Sequence, residues 1–154
     1  MSNSNLIYLT EEGLQKLKHE LDNLINVKRP EVAMRIKSAR DMGDTSENAE
    51  YSAAREEQSF VEGRIAELTE IIKNAVVSEK PSGDTVGVGS RVVLHIEGDK
   101  EEYHIVGAHE ADPAQKKISY ESALGSSLLG KRIGDEIEVT VPIGNIRYKI
   151  IDIY

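Results

Sequence analysis

Gly43-Asp44-Thr45-Ser46-Glu47-Asn48-Ala49-Glu50-Tyr51 is a short polar stretch between two long apolar periodicities, and its reading decides the fold. Upstream, Leu14, Leu17, Leu21 and Leu24 recur in steps of three and four, and the seam resumes at Val32, Ile36 and Ala39. Downstream, Ala54, Gln58, Val61, Ile65, Leu68, Ile72 and Val76 repeat the same step. Seams of this period are buried by packing against another helix. The two fit each other in antiparallel order: Leu17 faces Ile72, Leu21 faces Leu68, Leu24 faces Ile65 and Ile36 faces Ala54, around a turn near Asp44 and Thr45. Gly43 supplies the permissive backbone that a reversal needs. The expectation is a coiled-coil hairpin over residues 1–77 with the polar stretch at its tip, each limb about 45 Å tall at the rise of an α-helix.

Thr10 with Glu11 and Glu12 gives the first helix a capping hydroxyl and acids where the helix dipole favours them. Pro30 removes an amide donor, so that helix should kink or restart there. At the tip, Asp44 and Glu47 stand three apart and admit two readings. In one, Asp44 caps the descending helix and Glu47 reaches back to the cap amide. In the other, two carboxylates at the end of a rod share a hard cation such as magnesium, which binds well only where a partner and its phosphate-bearing substrate complete the coordination. Ser46 and Asn48 either orient the carboxylates or serve as ordinary turn residues. Lys28, Arg29, Arg35, Lys37 and Arg40 make a basic run, which is either a solvated face or a guide along a phosphate backbone or acidic channel.

Residues 78–89 lose the heptad and gather turn formers, which marks a linker. From residue 90 the period becomes two. Val92, Leu94 and Ile96 alternate, Glu97 to Lys100 turns, and Tyr103 and Ile105 return; Ile137, Val139 and Val141 then pair through Pro142 to Asn145 with Ile146, Tyr148 and Ile150. Ser122 to Leu129 reads as one short helix ended by Gly130. The fold class expected is α+β: the helical hairpin, then an antiparallel β domain over 90–154.

The 154 residues carry a net charge of −8 and no cysteine. The charge argues against sequence-independent binding to nucleic acid, which needs clustered cations. The lack of cysteine excludes disulfides and thiolate metal sites and fits a reducing compartment. No apolar run approaches the roughly 20 residues that cross a bilayer, and the start has no basic export region, so a cytoplasmic protein is expected.

The polar stretch resembles the tip motif of the bacterial Gre transcript-cleavage factors. The likeness continues through Arg29-Pro30, Ala39-Arg40-Asp41-Met42, Ala53 to Gln58 and Glu62 to Ile65, then through Leu129-Gly130-Lys131 and Gly134-Asp135 in the second domain. It implies a transcription elongation factor, not itself an enzyme, whose coiled coil enters the secondary channel of RNA polymerase and stimulates cleavage of backtracked RNA. Under this resemblance Asp44 and Glu47 are the acids that share a magnesium ion with the polymerase, and the isolated protein holds none tightly. Ser46 and Asn48 support the tip, while Arg40, Arg55, Arg35 and Lys37 contact the nascent RNA 3′ end or the polymerase. The modest basic run looks more like the GreA branch than the GreB branch, and the protein is expected to act as a monomer. The family also implies an FKBP-like second domain that docks on the polymerase. A prolyl isomerase activity would need an aromatic-lined pocket, and this domain has neither Trp nor Phe. The alternatives are a channel binder that occludes without cleavage, and a coiled-coil scaffold. Thr45 stands where relatives often carry Leu.

Overall fold

The computed structural model describes residues 6–44, 47–78 and 84–154. Expectations for Thr45, Ser46 and the linker residues 79–83 lie outside them. The chain forms two compact units: Gln15–Asn74, and the described parts of Met1–Leu14 together with Ala75–Tyr154.

In the helical unit, α1 (Glu11–Asn23) passes through a π-helical turn, Leu24–Lys28, into α2 (Arg29–Asp41); α3 (Ala49–Lys73) follows the tip. The Arg29 N–H reaches the Leu24 carbonyl, five residues back. That wider turn answers Pro30, which has no N–H to give and whose ring would crowd the carbonyl four residues back. Pro30 thus falls in the first turn of α2, where a missing donor costs nothing. Val32, Ile36, Ala54, Val61 and Ile65 form the core, with Leu21, Leu24, Ile25 and Tyr51 packed on it. Leu24, Ile36, Ala54 and Ile65 of the expected seam all belong to this cluster.

The far end of the seam departs from expectation. Ile71 is buried where Ile72 was expected, and Ile72 is half-buried. α3 stops at Lys73, capped at Asn74, so Val76 lies on a strand. That strand, β2 (Ala75–Val77), pairs in parallel with β1 (Ile7–Leu9). Three-residue strands are too short to show a period of two, which is why the sequence concealed them.

In the other unit the cap expected at Thr10 is present: the Gly13 N–H donates to Thr10 Oγ1 at 3.0 Å. Five strands, β3 (Arg91–Ile96), β4 (Asp99–Val106), β5 (Lys117–Ser119), β6 (Glu136–Val141) and β7 (Gly144–Ile153), make one sheet in the order β5-β4-β3-β7-β6. All pairs are antiparallel except β4 with β5. The sheet is therefore mixed rather than wholly antiparallel, and the class is α+β as expected. Glu97 and Gly98 make the β3–β4 hairpin, both with positive φ (46° and 94°), the geometry whose twist matches the flanking strands. α4 (Ala123–Leu128), capped by Ser122, contributes Leu128 to the core that also holds Val92, Leu94, Ile105, Ile137, Val139 and Ile150. Gly130, at φ 77°, follows its last turn.

Candidate functional site

The tip is built from the ends of α2 and α3. α2 closes with Met42, whose N–H reaches the Ala39 carbonyl at 3.2 Å, and Gly43 then adopts φ 139°. α3 opens with Asn48 as its cap: Asn48 Oδ1 accepts the Tyr51 N–H at 3.1 Å. The same side chain turns its Nδ2 the other way and donates to the Ala39 carbonyl at 2.6 Å. The cap residue of α3 is thus Asn48 and not the expected Asp44. Helix α3 begins later than that reading required, and a residue adjacent to the first turn holds it. Asp44 and Glu47 are both exposed.

Two carboxylates are oxygen donors of the kind that magnesium takes. Among the described residues no three His, Cys, Asp or Glu side chains come together to hold a metal ion. Asp44 and Glu47 supply donors of this chemical type at the tip.

The basic residues divide. Arg35 pairs with Glu57 across the hairpin. Arg29 makes a two-pronged pair with Glu62, both contacts 2.8 Å, and the guanidinium holds the Glu62 carboxyl below its ordinary value. Arg55 donates to Gln58 at 3.0 Å. Arg40, in the last turn of α2, and Lys37 are exposed. Part of the basic run thus serves to clasp α2 to α3. The clasping acids, Glu57 and Glu62, escaped the sequence analysis because pairs across a hairpin have no fixed spacing. Met34 and Met42 are also exposed and line a groove of about 370 Å³ beside the tip, an apolar strip that the seam analysis had no reason to single out.

Two family models match the chain: one described as transcription elongation factor, N-terminal, over residues 7–77, and one as transcription elongation factor, GreA/GreB, C-term, over residues 80–154. The chain belongs to the GreA/GreB family. This is the family that the tip motif resembled. Among its relatives, the transcription elongation factor GreA of Acetivibrio thermocellus is 54% identical, with 99% of each chain covered. The Bacillus subtilis protein of that name is 47% identical with the same coverage. The crystal structure of GreA factor homolog 1 of Thermus thermophilus is 28% identical, covers 97% of this chain and 99% of its own, and gives a TM-score of 0.45.

Away from the tip, the base of α1 is held by Glu110. Its carboxylate accepts from the Thr10 N–H at 3.0 Å, from the Thr10 hydroxyl, and from the Gly107 N–H at 3.1 Å. His104 on β4 has a buried Nδ1 with no partner among the described residues. Burial, and then Arg91 and Lys117, push its pKa below the ordinary value, against the smaller pull of Glu110 and Glu12. No helix among the described residues is long and apolar enough to cross a membrane.

Proposed function

We propose that this GreA/GreB-family protein is a transcription elongation factor that acts on RNA polymerase in the cytoplasm. It inserts its helical hairpin into the secondary channel and stimulates the polymerase's own cleavage of backtracked RNA. The observation that carries the reading is that Asp44 and Glu47 are both exposed at the tip, beside the Asn48 that caps α3. The relatives named GreA support the same reading at full length.

In this mechanism the chain works as a monomer and hydrolyses nothing alone. The hairpin carries Asp44 and Glu47 into the polymerase's catalytic centre, where the two carboxylates would hold a magnesium ion shared with the polymerase. That ion, when bound, supplies water activation and charge stabilisation at the phosphate. Exposed Arg40 and Lys37 give the upper part of α2 positive charge toward the RNA 3′ end, and Arg55 does the same on α3. Arg35 contributes chiefly through its pair with Glu57.

A backtracked complex with end-labelled RNA tests the proposal. The wild-type protein should release short 3′ fragments. Asp44→Asn and Glu47→Gln should each slow release by more than the roughly 10- to 100-fold that follows loss of an outer-shell metal partner, while polymerase binding survives. Slowed synthesis without fragments would identify an occluding factor instead, and undiminished cleavage by both variants would remove the metal role.

A further inference from the structure

We infer that Met34 and Met42 form a reversible oxidation site on the helical hairpin, at which hydroperoxides turn an apolar groove polar and so weaken the hairpin's hold on its partner. The effect on the partner rests on the function proposed above. The chain has three methionines and no cysteine, so thioether sulfur is the only sulfur it offers to an oxidant. Two of the three line one groove. Met34 stands on α2 and Met42 at its C-terminal cap, about two helical turns further on. Val32, Ile36 and Ala39 take the buried face of α2, while Met34 is 71% and Met42 76% exposed. A lone apolar side chain on a surface needs no explanation. Two that share a groove of about 370 Å³, whose lining also includes charged Glu31 and Glu50, make an apolar strip with a polar border.

In the reaction a thioether sulfur attacks the terminal oxygen of a hydroperoxide. The O–O bond breaks, an S–O bond forms, and the proton of the transferred hydroxyl passes to the departing oxygen, which leaves as water from hydrogen peroxide or as an alcohol from an organic one. Sulfur gives up the two electrons that the peroxide gains, and methionine becomes its sulfoxide; a methionine sulfoxide reductase with a thiol reductant reverses the step. The consequence follows from polarity. Methionine is flexible and polarisable and suits an adaptable apolar contact, whereas a sulfoxide is polar and is unfavourable to bury without a partner. The occupant of the groove is the wall of the polymerase channel. Met42 directly precedes Gly43 and Asp44, and Glu50 lies in the first turn of α3, so a groove that flanks the tip on both helices enters the channel with it. Oxidation there changes no tip carboxylate, and its effect should fall on binding rather than on cleavage once bound.

For the test, the full-length protein is treated with hydrogen peroxide, the peroxide is removed with catalase, and the oxidised residues are located by peptide mass mapping. Met34 and Met42 should each gain one oxygen at a rate close to that of free methionine. The dissociation constant for polymerase should then rise about tenfold, with the plateau cleavage rate and helical circular dichroism nearly unchanged, and the reductase should restore binding. The double variant Met34→Leu, Met42→Leu keeps Met1, and peroxide should leave its affinity equal to that of its own untreated sample. Slow oxidation of both methionines relative to free methionine overturns the inference. So does unchanged affinity after both have gained oxygen, a loss confined to the plateau, a loss that accompanies lost helicity, or an equal loss in the double variant. Asp44→Asn, assayed alongside, separates the two claims. If it cleaves at the wild-type plateau while peroxide still weakens wild-type binding, the metal role fails and the oxidation site stands; if it is inactive while peroxide leaves wild-type binding intact, only the oxidation site fails.

Discussion

A methyl group added at Gly13 would lie 2.0 Å from Glu110 Oε1. Alanine inside a helix ordinarily gains about 1 kcal/mol over glycine. Here it would displace the carboxylate that receives the Thr10 N–H, the Thr10 hydroxyl and the Gly107 N–H. Leaving partly buried donors unsatisfied costs about 1–3 kcal/mol each, so the net sign reverses. Gly13→Ala should therefore destabilise the wild-type protein by about 1–2 kcal/mol and stabilise a Glu110→Ala background by up to about 1 kcal/mol. Denaturant unfolding around the four-membered cycle measures both. Equal effects in the two backgrounds would mean that Glu110 is not the obstacle. The Gly13 in the first turn of α1 is thus explained by a residue almost a hundred positions away.

At the scale of elements, the register of the sheet places His104 between two cations. β4 sets it opposite Arg91 on β3 and opposite Lys117 on β5. Burial first, and then these two cations, hold the folded-state pKa below its ordinary value, with Glu110 and Glu12 pulling the other way. The sign follows directly. The unfolded chain binds the proton more tightly, so His104 costs nothing at high pH and costs progressively more as pH falls below about 6.5. The stability of the sheet unit should decline over that acid window, and His104→Gln should flatten the decline. Parallel unfolding series of the two proteins from neutral to mildly acid pH decide the matter, and unchanged slopes would refute it. On the helical side the elements are joined differently: Arg29 to Glu62, Arg35 to Glu57, and Arg64 to Glu20 at 2.8 Å link α3 to the ascending limb around an apolar seam. Exposed pairs of this kind add little to stability; their consequence here is that two cations of the basic run already have partners.

At the scale of the whole molecule, each unit has a core of its own. Ile65 is 8% exposed in the helical core and Leu94 is fully buried in the sheet core. Truncating either to alanine should cost about 2–5 kcal/mol, but in different places. Ile65→Ala should lower the melting of helical circular dichroism, and Leu94→Ala should release the slowly exchanging amides of the sheet. Amide exchange resolved along the chain would show whether each loss stays within its own unit. A uniform loss across both would mean that the molecule unfolds as one.

The heptad steps from Leu14 to Leu68 and the alternation at Val92 to Ile96 and Ile137 to Val141 were sufficient to read a helical hairpin joined to a sheet. Local periodicity records which face of an element must leave water. The acidic tip was legible for a similar reason, since its residues are contiguous in the chain. Its cap was not, because choosing between Asp44 and Asn48 depends on where α3 begins and on the Ala39 carbonyl across the turn. The β1–β2 pair, the parallel β5, the burial of Ile71 rather than Ile72, and the reach of Glu110 to Thr10 were likewise settled only by folding. Each depends on partners distant in sequence or on strands too short to carry a period, and such partners leave no mark on the local pattern until the chain has closed around them.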